Sequence, residues 1–320
     1  MAVYTEVSFD EAASLVARLS LGTLKSLTGI RSGIENTNYF ADTDAGSYVL
    51  TVFERSTFDE LPFYLELMQH LATRGIPVPG PKPDASGAIL HTLQGKPAAI
   101  VDRLRGSHRL APAPAHCASL GAMLAHMHAA AADFTLAQPN QRGLAWWLET
   151  VPVVLPFLTD AQRTLIESEL AFQQQVAASA AHAALPRGPI HADLFRDNAM
   201  FESTPSGDRL SGLFDFYFAG VDALLFDIAV CLNDWCIDLE SGRLDETRAA
   251  VLVAAYSTVR PLTSNERRLL PALMRGAALR FWLSRLWDLH LPRFATLLTA
   301  HDPTHFERVL RERVAAPWHP

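Results

Sequence analysis

Lysine is almost missing from this chain. Only Lys25, Lys82 and Lys96 occur in 320 residues, and 34 acidic side chains against 27 basic ones leave a net charge of −7. Binding along a nucleic-acid backbone depends on clustered Lys and Arg, so this balance argues against a nucleic-acid partner and mainly favours solubility. Cysteine is scarce too. Cys117, Cys231 and Cys236 are odd in number and form neither a CxxC pair nor a spaced metal pattern, which suits buried thiols in a reducing compartment. No apolar run approaches membrane-spanning length, so no membrane partner is expected, and there is no internal repeat or low-complexity tract. Residues 1–20 carry Glu6, Asp10 and Glu11 in an amphipathic pattern without the basic start and apolar centre of a signal peptide. The expected location is the cytoplasm.

A hydrophobic fraction of 49% and a charged fraction of 19% describe an ordinary globular protein, and the length favours two lobes over one. Apolar spacing predicts a leading helix over Phe9 to Ser20, then three antiparallel strands between Leu24 and Phe53, punctuated by Gly29, Gly33 and the turn Asp42–Gly46. A helix over Leu61 to Arg74 stops at Gly75 before Ile76-Pro-Val-Pro79. Strand-like runs at Ala88 to His91 and Ala98 to Leu104 complete a small sheet. Beyond Arg105-Gly106 the texture turns helical, with Ala115 to Ala132, Gln162 to Ala184, Leu224 to Ile237 and Pro271 to Leu289 as the clearest segments. A first lobe of residues 1–104 and a second of residues 105–320 are therefore expected.

Chemistry concentrates in His191-Ala-Asp-Leu-Phe-Arg-Asp-Asn198 and in Leu213-Phe-Asp-Phe216. The first has the spacing HxDxxxxN, in which a carboxylate accepts a hydroxyl proton and an amide five residues on helps hold a metal beside nucleotide phosphates. Asp193 is then the base and Asn198 one metal ligand. Asp215, on a separate short apolar run, is the second, since Mg²⁺ takes hard oxygen donors and usually only one or two protein carboxylates. Asp and Asn also form turns unaided, but that does not account for the second Asp on its own run. His191 supports the loop rather than reacting. Gly29 to Gly33 can let backbone N–H groups approach phosphates, although two glycines also make an ordinary hairpin. His126 and His128 are two apart on a helix and cannot share a metal as an i, i+4 pair does.

The order of parts resembles the aminoglycoside phosphotransferase-like branch of the kinase fold. Within it, Ser32-Gly-Ile-Glu-Asn-Thr-Asn-Tyr-Phe40, Tyr48-Val-Leu-Thr-Val-Phe-Glu54, the catalytic stretch, Asn233-Asp-Trp235 and Leu279-Arg-Phe-Trp-Leu-Ser-Arg285 look like the homoserine kinases of that type, which are distinct from those of the GHMP fold. The resemblance implies an α+β, protein-kinase-like bilobal fold, with a small antiparallel-sheet N-lobe that binds nucleotide and a mainly helical C-lobe. It implies ATP and Mg²⁺ as cofactors and phosphorylation of the side-chain hydroxyl of a small-molecule substrate, L-homoserine. Carried over by position, it makes Asp193 the base and Asn198 and Asp215 the metal ligands. Gly29, Arg31, Ser32, Gly33, Asn38 and Thr51 are the expected nucleotide contacts, together with Val101, Asp102 and Leu104 of a hinge over Ile100 to Leu104. Asp227 takes the place of a brace for the catalytic loop. A zwitterionic substrate needs a cation and a carboxylate, which makes Arg280, Arg285, Asp222 and Asp234 candidates.

One departure stands out. The kinase pattern expects a lysine on the third strand paired to a helix glutamate, and this chain has Thr51 there, with Glu66 as the formal partner. Arg31 or Arg55 could substitute, or backbone and metal could suffice. Two other readings remain open at this level: another kinase of the same branch, acting on an aminoglycoside, choline or methylthioribose, and a nucleotide-binding regulator without catalysis.

Overall fold

A capping box starts the first helix. Ser8 accepts the Glu11 amide and the Glu11 carboxylate accepts the Ser8 amide, satisfying two of the N–H groups that a helix start leaves open. Helix α1 then runs Phe9–Arg18 and buries Ala12, Leu15 and Val16. The structure is a computed structural model and describes residues 5–30, 36–291 and 302–320. Strands β1 (Leu24–Gly29), β2 (Asn36–Thr43) and β3 (Ser47–Phe53) follow, then α2 (Pro62–Thr73), β4 (His91–Leu93) and β5 (Lys96–Asp102). They form one antiparallel sheet in the order β1-β2-β3-β5-β4. Helix α2 carries Pro62 in its first turn, and the chain leaves it through Gly75 at φ +79, a conformation that glycine adopts without a Cβ clash.

Alternation decides which face of the sheet does what. Tyr39, Ala41, Leu50, Val52, Ala98 and Ile100 share a core with α1, so Asn38, Thr51, Ala99 and Val101 point to the opposite face. Register places Asn38 opposite Thr51 and Thr51 opposite Ala99.

Residues 1–106 with 211–214 form one compact unit, and residues 107–210 with 215–320 form another. The second contains α3 (Pro114–Ala130), α4 (Leu144–Val154), α5 (Asp160–Ala177) and the short α6 (Ala180–Ala183). Strands β6 (Arg187–Ile190), β7 (Ala199–Thr204), β8 (Gly207–Leu213, whose residues 211–213 count with the first unit) and β9 (Gly220–Ala223) come next; β6 pairs with β9, and β7 with β8. Helices α7 (Leu224–Trp235), α8 (Glu246–Val259), α9 (Ser264–His290) and α10 (Thr304–Ala315) complete it. Helices α3 and α8 touch backbone to backbone at Gly121, where a Cβ would lie 2.2 Å from the Leu252 carbonyl oxygen. Among the described residues no helix is long and apolar enough to cross a membrane, and all three cysteines are buried and free.

Three expected segments differ. The strand foreseen over Ala88 to His91 begins only at His91, because Gln94 (φ +51) and Gly95 (φ +76) make a tight turn that fixes Leu93 against Lys96. The single helix over Gln162 to Ala184 is two, α5 and α6: Ser179 is extended at ψ 145 and its hydroxyl accepts the His182 amide, competing with helical bonding. The helix foreseen from Pro271 starts at Ser264 instead. Thr263 and Glu266 form its capping box, and Pro271 sits inside.

Candidate active site

Strand β6 feeds the His191–Asn198 loop and β7 carries the chain away. Within the loop Ala192 has φ +63, and Asp215, at the end of the run after β8, has φ +68. Both lie in the left-handed region that residues with a Cβ seldom enter, so the surroundings must hold them there. For Ala192 the holder is Asp227. This carboxylate is fully buried in the first turn of α7; one oxygen accepts the His191 amide and the other the Ala192 amide, each at 2.7 Å. His128 of α3 lies 3.0 Å from Asp227 through Nε2 and 2.8 Å from the Tyr256 hydroxyl through Nδ1. The tautomer protonated on Nε2 satisfies both, donating to Asp227 and accepting from Tyr256. Arg260 continues the chain, donating to Tyr256 and to the buried Glu266.

The far half of the loop is held from α7 as well. Asp234 accepts the Arg196 amide and its Nε at 2.8 and 3.0 Å, and Trp235 Nε1 donates to the Leu194 carbonyl at 3.0 Å. Burial raises the Asp234 carboxyl above the ordinary range against the pull of Arg196. His191 packs its ring 4.4 Å from that of Phe216 and is wholly buried, a supporting place rather than a reacting one.

Asp193, between the buried Ala192 and Leu194, keeps a side chain 15% exposed. Burial pushes its pKa from 3.8 to about 8; Arg280 opposes that shift, and Asp215, Asp197 and Asp234 add to it. Arg280 Nη1 stands 3.6 Å from Asp193 Oδ1, near enough to pair charges but too far for a hydrogen bond. Arg280 itself is 3% exposed, and burial draws its pKa down to about 10. Among the described residues its Nε and Nη2 have no hydrogen-bond partner.

Asn198 donates to the Asp193 carbonyl at 2.7 Å and to its Oδ2 at 3.3 Å, which turns the Asn198 amide oxygen the other way. Asp215 is close enough to Asp193 to raise its pKa, and an amide oxygen from Asn198 with a carboxylate from Asp215 would be the hard and sparse donors that Mg²⁺ accepts. Among the described residues no group of three or more His, Cys, Asp or Glu is arranged to hold a metal, so phosphate and water oxygens would have to complete the shell.

The described residues expected to contact nucleotide fall in the sheet unit. Thr51 is buried and donates to Asn38 Oδ1 at 2.7 Å, on the sheet face away from α1 that Val101 also shares. Among the described residues no cation stands in for the expected lysine on β3: Lys96 of β5 pairs with Glu54, and Arg55 and Glu66 are exposed. Asp102 is tied to Lys82 at 2.6 Å, and its amide donates to Gly80 at 3.2 Å. The Arg103 amide donates to Ser47. Among the described residues the Leu104 amide has no partner, so of the hinge positions it is the one with a donor to spare. Gly29 ends β1 opposite Tyr39; Arg31, Ser32 and Gly33 lie outside the described residues.

Of the four polar candidates for the substrate, Arg280 alone pairs with Asp193. Asp222 is taken up by Asn140 and Arg187 at 2.9 Å each, and Asp234 by Arg196. Arg285 donates to the Asp302 carbonyl at 3.0 Å and lies 4.5 Å over the Phe306 ring. The sequence gives His128 no role beyond that of a core or surface histidine, and gives Tyr256 none. A signal for His128 existed, since it continues the buried stripe Cys117, Leu120, Gly121, Leu124, Ala125 of α3 while His126 is exposed. A histidine on an apolar stripe needs a polar partner.

Residues 26–262 match the model of the phosphotransferase enzyme family. Over 318 residues the chain is 66% identical to a homoserine kinase of Polaromonas naphthalenivorans, covering 99% of each chain. It is 56% identical over 319 residues to a homoserine kinase of Cupriavidus pinatubonensis, covering 98% of this chain and 97% of that one. Among solved structures, an amicoumacin kinase in complex with AMP-PNP and Ca²⁺ aligns at a TM-score of 0.69 and 15% identity over 96% of this chain and 92% of that one. An aminoglycoside phosphotransferase of Alicyclobacillus acidocaldarius aligns at 0.65 and 16% identity over 97% and 95%. At such identities these two speak for the fold, which is the α+β, protein-kinase-like one.

Proposed function

This chain belongs to the phosphotransferase enzyme family, and we propose that its His191–Asn198 loop transfers the γ-phosphoryl group of ATP to L-homoserine with Asp193 as the base. The chain is a homoserine kinase: it converts the side-chain hydroxyl of L-homoserine to O-phospho-L-homoserine. The acceptor follows from the likeness to homoserine kinases over nearly the whole of both chains. The observation that carries the mechanism is the environment of Asp193, largely buried, paired with Arg280 and held by Asn198.

As the substrate oxygen bonds to the γ-phosphorus, its proton passes to the Asp193 carboxylate, the bond from phosphorus to the bridging oxygen breaks, and that oxygen leaves on ADP with the electron pair. A carboxylate with a raised pKa is a stronger base than an ordinary one, and general-base help of this kind is worth about 10²- to 10⁴-fold. Arg280 at 3.6 Å keeps the ionised form accessible despite burial. Asn198 fixes the rotamer of Asp193, and Asp227 fixes the backbone beneath it. Mg²⁺, when bound, would neutralise phosphate charge, with Asn198 Oδ1 and Asp215 as its holders. In the sheet unit, Leu104 offers a backbone donor to adenine, and the part-buried Thr51–Asn38 pair stands at the position where kinases carry the phosphate lysine.

The reading is tested by ADP release with Mg·ATP and L-homoserine, L-serine, L-threonine, choline, methylthioribose and kanamycin. Sites built to hydrogen-bond a substrate reject poor matches strongly, so kcat/KM for L-homoserine is expected to exceed the others by about 10³-fold or more. Comparable turnover of choline or kanamycin would sink the acceptor assignment.

A further inference from the structure

Arg280 presents an unusual pattern of satisfied and unsatisfied donors. A guanidinium offers two forks to a carboxylate, one of which is the Nε–Nη2 edge. Here Nη1 is the atom turned toward Asp193, and the two donors without partners are Nε and Nη2, the pair that makes up that edge. The side chain is 97% buried, at 3% exposure. Leaving charged donors buried and unpaired is costly, and a bidentate carboxylate relieves it.

A second cation stands nearby. Arg142 lies 5.8 Å over the Phe218 ring and 4.5 Å over the Trp146 ring, and Arg280 lies 4.9 Å over the same Phe218. Arg142 is not held there by chance of a long loop. Its amide donates to Asn140 Oδ1, the Asn140 side-chain amide donates to Asp222 of β9, and the Trp147 indole donates to the Arg142 carbonyl at 2.6 Å. Asp222, a substrate candidate from sequence, thus works one step removed, anchoring the segment that carries Arg142. Two arginines around one aromatic ring repel each other, and an anion between them removes that repulsion.

We propose that the Nε–Nη2 edge of Arg280, assisted by Arg142 across Phe218, binds the α-carboxylate of the acceptor and so restricts the enzyme to hydroxy amino acids. The hydroxyl of L-homoserine lies about 5 Å from its carboxylate carbon in an extended chain, and Asp193 stands 3.6 Å from Nη1 of the same guanidinium. The inference rests on the homoserine reading above and adds the residues that recognise the acid group.

The test compares L-homoserine with 3-aminopropan-1-ol, the same molecule without its carboxylate, in the wild type, Arg280→Lys and Arg142→Gln. Lysine keeps the positive charge beside Asp193 but lacks the fork. Arg280→Lys is expected to raise KM for L-homoserine about 100-fold, and Arg142→Gln about 10-fold with kcat retained. Arg142→Gln should leave kcat/KM for 3-aminopropan-1-ol within about threefold, since truncating a contact matters only to the ligand that makes it, whereas Arg280→Lys, which also stands beside Asp193, should cost L-homoserine at least about tenfold more than 3-aminopropan-1-ol. Parallel losses on both alcohols would overturn the clamp, because they would mean that the arginines act only through Asp193. Should Arg280→Lys not fold, Arg142→Gln on its more exposed loop decides alone by the same criterion. Wild-type turnover of L-homoserine is the separate check on the acceptor itself: if it is lacking, the homoserine reading fails, whatever the variants do.

Discussion

Asp193→Asn abolishes turnover and makes the protein more stable. Without the base, kcat is expected to fall at least 10³-fold, or about 4 kcal/mol in the barrier, since proton acceptance and the alignment of the hydroxyl are lost together. Stability moves the other way because the folded chain strains against the charge at this position. The Asp193 carboxyl titrates at about 8 in the fold instead of 3.8, so the folded state holds its proton more tightly than the unfolded one. The stability associated with that proton is full below the unfolded pKa and is lost as pH rises through the folded one. Asparagine has no proton to lose. In metal-free buffer the melting temperature of the variant should therefore pull ahead of the wild type as pH rises from about 5 to about 8, by about 5 °C at the upper end. A constant difference across that range would show that the charge at 193 is not under strain.

Asp227→Ala has the largest expected effect on the fold. It leaves the buried His191 and Ala192 amides and His128 Nε2 without their shared acceptor, and loss of one charged partner in such a buried network costs about 3–5 kcal/mol. Asp227→Asn is expected to be nearly as costly, because its single oxygen can serve one loop amide while its NH₂ group faces the other. Ala192, freed from its left-handed φ of +63, would relax and carry Asp193 with it, so kcat should drop in whatever fraction folds. Urea midpoints measure the first effect and kcat corrected for folded fraction the second. A loss below about 1 kcal/mol would mean that the loop holds its own shape.

Why some of this could be read from sequence and some could not follows from where the determinants lie. Asp193 and Asn198 are five residues apart on one loop, and Asp215 sits on the next apolar run, so their spacing is visible in the chain itself. The strands from Leu24 to Phe53 and the helices of α1, α2, α3 and α7 announce themselves by alternation or by apolar spacing. His128 and Tyr256 are separated by more than a hundred residues and meet only because Gly121 lets α3 settle against Leu252 of α8. No local pattern reports that. Asp222, Asp234 and Arg285 are suitable residue types near the right segments, yet Asn140, Arg196 and Asp302 engage them. Partnership of this kind is decided by packing. Thr51 is the instructive middle case: its departure from the kinase pattern is plain in sequence, while its bond to Asn38 across the β2–β3 register is not. The break at Ser179 leaves no mark in the sequence because the Ala-rich segment has strong helical propensity on both sides of it.

The most direct test of the central claim is ³¹P NMR of the reaction of the purified chain with Mg·ATP and L-homoserine, run beside Asp193→Asn. The account predicts a new phosphomonoester resonance matching O-phospho-L-homoserine, growing in step with ADP in the wild type and undetectable in the variant. ADP with inorganic phosphate but no phosphomonoester, or an equal product yield from Asp193→Asn, would contradict it.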